Sequence, residues 1–324
     1  MLTLDTTHFK EKKNLLAFSA GVDSSALFFL LLEHGIPFDI ALVNYGTRLE
    51  SATEEEHAKI LAKKYNKRCY TTRAPAFSTH FEANARTFRY NFFDTLIEEY
   101  GYDTLLTAHQ LNDQLEWLFM RLSKGAGLSE LIGLEAVDIR NSYTLIRPLL
   151  EYSKEELLDY LETNNHPYFI DNSNSNEKYE RNRFRKAFSD PLISQFGEGI
   201  KRSFKYLRED KQALESGFEP LLIEKQLHII QLKQPVSKVK AADLTLKKLG
   251  YLLSSAQRKE IGKEKSLVIG GEWAVEIRGD LLYIAPYVTT DMPKKFKELC
   301  RIKKIPAKIR AYLCQEGIDL ARLP

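Results

Sequence analysis

A short apolar run, cut off by small residues and followed at once by a longer apolar run, constrains the fold of this chain more than any other stretch. Leu15, Leu16, Ala17 and Phe18 have the length of a buried strand, and Ser19-Ala20-Gly21 interrupts them. Val22-Asp23-Ser24-Ser25 then leads into Ala26-Leu27-Phe28-Phe29-Leu30-Leu31-Leu32. The order predicts a strand, a tight turn and the start of a helix packed on a sheet. Such a corner leaves backbone N–H groups unpaired at the positive end of a helix dipole, which suits a phosphate. Ser19, Ser24 and Ser25 add hydroxyl donors, and Ala20 and Gly21 put little bulk between the backbone and an oxyanion. Asp23 would repel that phosphate unless a cation such as magnesium lay between them. Taken alone, an S-x-x-D-S string is more often a plain helix cap.

The same alternation continues for about 150 residues. Phe38–Asn44, Cys69–Arg73, Thr104–Ala108 and Tyr143–Ile146 read as further strands, and Ser51–Tyr65, Glu82–Tyr100 and Asn112–Leu122 as helices. The class is α/β: a parallel sheet covered by helices on both faces, with its ligand outside the carboxyl ends of the strands. Those ends carry Asn44-Tyr45-Gly46-Thr47-Arg48 and His109-Gln110-Leu111-Asn112-Asp113-Gln114-Leu115-Glu116. Asp113 and Glu116 share one helix face. With Asp23 across the crevice they are candidate ligands for one or two magnesium ions against bound phosphates. By themselves, acids in a first helical turn more often answer the dipole, and a lone His109 is more often structural.

Farther on, Ser153 with Glu156 forms a capping-box pattern for a helix from about 153 to 162. From Lys178 to Arg208 basic and aromatic residues interleave, a pattern equally suited to stacking on unpaired bases or to a solvated basic face over a buried stripe. Leu207–Leu214 reads as helical, Glu219–Leu232 as strand-like and Leu244–Lys259 as a helix. Ser266–Ala285 is a strand series with Gly270-Gly271 and Gly279-Asp280 turns, and Met292–Pro306 a basic helix and turn. The expected division is therefore an α/β domain over 1–190, a mainly helical connection over 191–262 and a small α+β domain over 263–324. A net charge of +3 over 324 residues is no nucleic-acid signal by itself, so the local basic runs must carry that inference. Cys69, Cys300 and Cys314 lie far apart without metal-ligand spacing, and no signal-peptide or membrane-spanning run is found. A reducing cytoplasm is the expected location.

The corner Ser19-Ala20-Gly21-Val22-Asp23-Ser24 resembles the S-G-G-x-D-S loop of the PP-loop ATP pyrophosphatases, with Ala20 in place of the first glycine. His109 to Glu116, followed by Arg121-Leu122-Ser123-Lys124-Gly125-Ala126-Gly127-Leu128, is similar to the H-x-x-D-D-x-x-E-T … R-G-x-G-L block of the tRNA(Ile)-lysidine synthase family. So are Glu82 to Tyr90 (E-x-x-A-R-x-x-R-Y), Ile146-Arg147-Pro148-Leu149-Leu150, Asp171-Asn172-Ser173-Asn174, and Tyr179 to Arg185 (Y-x-R-N-x-x-R). The blocks occur in the family's order over about the first 190 residues. Asn112 departs from the first Asp of the pair, Trp117 from Thr, Lys124 from Arg and Tyr45 from the His of N-H-x-x-R.

The resemblance implies ligation of free L-lysine to C2 of the cytidine at the first anticodon position of a tRNA(Ile) with a CAU anticodon, through an adenylated intermediate. ATP and magnesium are implied cofactors, and the resemblance implies a catalytic domain over 1–190, a tRNA-contacting connection over 191–262 and a small tRNA-binding domain over 263–324. Ser19, Ala20, Gly21, Val22, Asp23, Ser24, Ser25 and Asn44 are the expected nucleotide-binding residues. Asp23, Asp113 and Glu116 are the expected metal and catalytic residues, and Arg181 and Arg185 are candidates for contacts to phosphate or to the developing adenylate. A homodimer is compatible with the sequence. Two other readings stay open: a different PP-loop enzyme that thiolates or amidates, and an RNA-binding protein with a degenerate ATP fold. Thiolation is disfavoured because no cysteine lies in the catalytic blocks, and a glutamine-fed amidation would need an amidotransferase partner or domain.

Overall fold

The computed structural model describes residues 2–46, 51–77, 79, 81–170 and 180–324. The chain forms two compact units that divide after Leu207. The first begins β1 (Asn14–Ala17), α1 (Val22–Glu33), β2 (Phe38–Asn44), α2 (Ser51–Lys64), β3 (Cys69–Arg73), α3 (Phe81–Tyr100), β4 (Thr104–Leu106) and α4 (Leu111–Leu122). It continues α5 (Leu128–Leu131), β5 (Val137–Ile139), β6 (Thr144–Ile146), α6 (Lys154–Thr163), α7 (Glu180–Phe184), a π-helical turn (Arg185–Ser189) and most of α8 (Asp190–Glu215).

The strands form one sheet in the order β3-β2-β1-β4-β6-β5. It is parallel except for the edge pair β5–β6, and the period-2 geometry of a strand explains how both faces fill. Leu15, Ala41, Leu105 and Leu145 point to one side, against Tyr90, Phe93 and Ile97 of α3. Their neighbours Leu16, Ile40, Leu106 and Ile146 point to the other, against α1, α2 and α6. Helix α1 is buried along nearly its whole length. The Phe28 ring lies 5.1–5.7 Å from those of Phe18, Phe29, Phe38 and Tyr65, so truncating it to alanine should cost about 3–5 kcal/mol. The α/β reading with helices on both faces holds.

The second unit contains β7 (Phe218–Glu224), β8 (Leu227–Leu232), α9 (Lys238–Lys248), α10 (Ser255–Lys263), β9 (Ser266–Ile269), β10 (Trp273–Arg278), β11 (Leu281–Pro286), α11 (Lys294–Ile302) and α12 (Arg310–Glu316). Its antiparallel sheet has the order β7-β8-β11-β10-β9. Ile229, Tyr283 and Ala285 face Cys300, Ile309 and Leu313 of the last helices, while Ile230, Leu282 and Ile284 face Ala242, Leu246 and Ile261.

Two sequence expectations change here. The stretch 191–262 is not one helical connection: Ile193 and Phe204 of α8 pack with Leu111, Leu115 and Ile132 of the first unit, whereas β7 and β8 belong to the same ladder as β9–β11. The helix expected over Leu244–Lys259 is two helices. Gly250 turns with φ +86°, and Ser254 caps α10 by accepting from the Gln257 N–H at 3.2 Å.

Candidate active site

At the β1–α1 corner the position of Ala20 proves to be defined by backbone angle more than by bulk. Its φ is +61°, a region that costs a non-glycine residue about 1–2 kcal/mol. The corner holds it there. Ala20 is fully buried, and its carbonyl accepts from the Phe169 N–H at 2.9 Å and from Ser25 Oγ at 3.2 Å. Gly21 forms an isolated parallel bridge with Phe169 and is the N-cap of α1, with no side chain capping the helix. Ser24 Oγ accepts from the Ser19 N–H at 3.1 Å and donates to the Gly21 carbonyl at 3.2 Å. The hydroxyl thus braces the loop and leaves the helix start open to an anion.

Beside this corner lies a cavity of about 230 Å³, lined by Ser19, Asp23 and Ser24 from the loop, Tyr45 just after β2, Arg89 from α3, and His109 and Arg181 from across the sheet. Ala20, Val22 and Ser25 are buried behind it, so only part of the expected nucleotide-binding set faces the opening. Asn44 does not line it: its Nδ2 donates to Glu55 Oε2 at 2.8 Å and its Oδ1 accepts from the Gly46 N–H at 2.8 Å. That amide braces the loop after β2.

Asp23 Oδ1 is shielded from solvent and has no hydrogen-bond partner among the described residues. Burial, reinforced by the charge of Asp113, pushes its carboxyl up to about 7, against the opposing pull of Lys154 and Arg185.

The start of α4 is built in the opposite way. Gln110 Oε1 accepts from the Asn112 N–H at 2.6 Å, and Asp113 Oδ2 accepts from the Gln110 N–H at 3.0 Å, a reciprocal cap. Asp113 Oδ1 also receives Arg181. One turn on, Glu116 accepts from Arg181 Nε at 2.7 Å and from Arg185 Nε at 2.5 Å. Arg181 in α7 and Arg185 at the π-helical turn, four residues apart, therefore form a quartet with the two acids. Burial opposes the charge on Asp113, but Arg181, with His109 and Arg185, holds the carboxyl below its ordinary value. Burial and then Asp113 push the Glu116 carboxyl upward, against the pull of Arg181 and Arg185.

Magnesium fits part of this site. Asp23 offers an unpartnered buried oxygen, as a cation ligand needs. Glu116 does not fit, because guanidinium groups hold both of its oxygens, and Asp113 is divided between a cap and Arg181. Among the described residues no group of three His, Cys, Asp or Glu is arranged to hold a metal. Of the three carboxylates expected to hold magnesium, Asp23 offers an available oxygen, while Asp113 and Glu116 anchor Arg181 and Arg185.

His109 accompanies them on the cavity wall. Its Nδ1 lies 3.0 Å from Thr107 Oγ1, and burial lowers its pKa to about 4, so the ring is neutral at pH 7. The motif departures have structural uses. Trp117 Nε1 donates to the Glu130 carbonyl at 2.8 Å, and its ring fills the space where a Gly133 side chain would stand. Lys124 pairs with Glu180 at 2.8 Å. Arg89 and Lys154 were not singled out by spacing, although the E-x-x-A-R-x-x-R-Y block contains the first and the α6 capping box adjoins the second. Thr47, Arg48, the Asp171-Asn172-Ser173-Asn174 element, Lys178 and Tyr179 lie outside the described residues.

A nucleotide corner on a parallel sheet, faced by an Arg-bearing helix, agrees with the family model that matches residues 2–192, a PP-loop domain. The chain is 46% identical over 315 residues to a tRNA(Ile)-lysidine synthase of Campylobacter jejuni, covering 97% of this chain and 96% of that one. It is 44% identical to the protein of that name from Wolinella succinogenes (96% and 95% covered), and 43% identical to that of Helicobacter pylori (95% and 91%). The chain belongs to the tRNA(Ile)-lysidine synthase family.

Proposed function

We propose that this chain uses ATP to ligate L-lysine to C2 of the cytidine at the first anticodon position of tRNA(Ile) with a CAU anticodon, giving lysidine. The observation that carries the reading is the convergence, on one cavity, of an uncapped helix start, a buried unpartnered carboxylate and an arginine held by two acids. The near full-length similarity to proteins of that name supports it.

Cytosine O2 is a poor leaving group, so the first step is its attack on the α-phosphorus of ATP, with pyrophosphate departing. The lysine ε-amine then adds at C2 and loses a proton, the C2–O bond breaks, and AMP leaves. The open N–H groups of α1 and Ser19 receive the pyrophosphate. Asp23 would hold magnesium together with phosphate oxygens, and that ion would supply charge neutralisation. Arg181 places positive charge in the wall opposite the loop, aimed by Asp113 and Glu116, while Arg185 completes the clamp. Neutral His109 provides a hydrogen-bonding wall without adding charge. Lys294, Lys295 and Lys297, exposed on α11, contribute backbone charge neutralisation to tRNA.

Release of pyrophosphate and AMP from ATP, measured with a tRNA(Ile) transcript with and without lysine, tests this reading. Repeated AMP formation should require both tRNA and lysine. Equal release without either, or none with both, overturns it.

A further inference from the structure

We propose that Asn112 is a positioning residue, whose amide locks the arginine-bearing segment onto the acid-bearing helix by using both of its ends. The side chain is 5% exposed. Its Nδ2 donates to Asp190 Oδ1 at 2.7 Å, and its Oδ1 accepts from the backbone N–H of Lys154 at 3.2 Å. Asp190 follows directly on the π-helical turn that opens with Arg185, and Lys154 is the first residue of α6. One amide therefore ties the first turn of α4 to the start of α6 and to the segment carrying the arginine clamp.

The direction of the amide is fixed by chemistry. A peptide N–H only donates and an ionised carboxylate only accepts, so the group between them must accept on one side and donate on the other. An aspartate at 112, as in the motif the chain resembles, would keep the bond to Lys154. It would also set a carboxylate against Asp190 and add a negative charge beside Asp113. Asn112 and Asp190 are thus a matched pair, and exchanging amide and acid between the two positions should preserve the match. The effect on turnover rests on the function proposed above; the pairing itself does not.

The test compares the parent with Asn112→Asp, Asp190→Asn and the double variant. For tRNA-dependent AMP formation, Asn112→Asp should lower kcat about 10–100-fold. The KM for ATP should stay within about twofold, because the Asn112 hydrogen bonds reach no residue of the β1–α1 corner. Asp190→Asn, which leaves a neutral pair, should lower kcat less, about three- to tenfold, and the double variant should return to within about threefold of the parent. Full activity in Asn112→Asp, or a double variant whose loss is the product of the two single losses, overturns the proposal. If the parent forms no AMP, the function falls and the same four proteins decide the pairing by thermal unfolding. A melting temperature lost in Asn112→Asp and regained in the double variant supports it, and additive losses overturn it.

Discussion

The two helices that face each other across the sheet crevice begin in opposite ways. Helix α1 starts at Gly21 with no side chain on its free N–H groups, whereas α4 has its first turn closed from both directions by Gln110 and Asp113. An open start gives a ligand its backbone donors. A closed start fixes the rotamers of what the helix carries, here the two acids that aim Arg181 and Arg185. One end of the crevice leaves backbone donors open, the other holds side chains still.

The sharpest way to break that contrast is Asp113→Ala, which removes a cap and an arginine anchor together. Turnover should fall about 10²–10³-fold, and stability should fall by about 1–3 kcal/mol. Asp113→Asn, which retains an acceptor for the Gln110 N–H, should lose comparable activity with a smaller change in melting temperature. An active Asp113→Ala protein would remove α4 from the chemistry.

On the open side, Asp23→Asn should lose about 10²-fold in turnover and yet gain stability at alkaline pH. The folded chain holds a proton on Asp23 up to about pH 7, while the unfolded chain releases it near the ordinary 3.8. Its contribution to stability is therefore complete below about pH 4 and lost as pH rises through 7. In EDTA without nucleotide, the variant should melt above the parent at pH 8, and the difference should shrink toward pH 5. A pH-independent difference would show that Asp23 is not strained by burial.

Ala20→Val probes the corner itself. A β-branched residue at φ +61° is a genuine outlier, so a loss of about 2–4 kcal/mol in unfolding free energy is expected. Ala20→Gly relieves the backbone and removes a buried methyl, two terms of about 1 kcal/mol with opposite sign, and should leave the melting temperature nearly unchanged.

The smallest effect comes from another uncapped helix start. Helix α11 begins after Pro293 with Lys294, Lys295 and Lys297 in its first turn, where the dipole disfavours cations. Reversing all three charges should slightly stabilise α11, raise the apparent KM for tRNA several-fold and flatten its salt dependence. Unchanged tRNA affinity would assign the lysines no part in RNA binding.

Much of this was legible in the sequence where one physical cause dominates. Strand β1 and most of β2 are apolar runs, and β2 (Phe38–Asn44) and the more polar β3 (Cys69–Arg73) have the bounds read from the sequence. Strand β5 was missed because Val137–Ile139 is a three-residue antiparallel edge with too few positions to show a period. The α9–α10 break was passed over because Leu252 and Leu253 continue an apolar pattern through Gly250. At the site, spacing located Asp113 and Glu116 on one helix face. It could not show that their partners would be guanidinium groups, since Arg181 and Arg185 arrive from a helix formed much later in the chain. Asn112, read as a departure from the first Asp of the pair, has a meaning that depends on Asp190, equally remote in sequence.

The hydrogen bond from Phe169 to the Ala20 carbonyl also sets an order of assembly on the ribosome. The strand and helix that make the nucleotide corner emerge early, but the backbone that clamps its left-handed residue is translated only after the whole sheet and α6. A nascent or truncated chain ending before Phe169 would carry every loop residue of the corner, with the Ser25 hydroxyl bond to the Ala20 carbonyl, and still lack the backbone bond from Phe169.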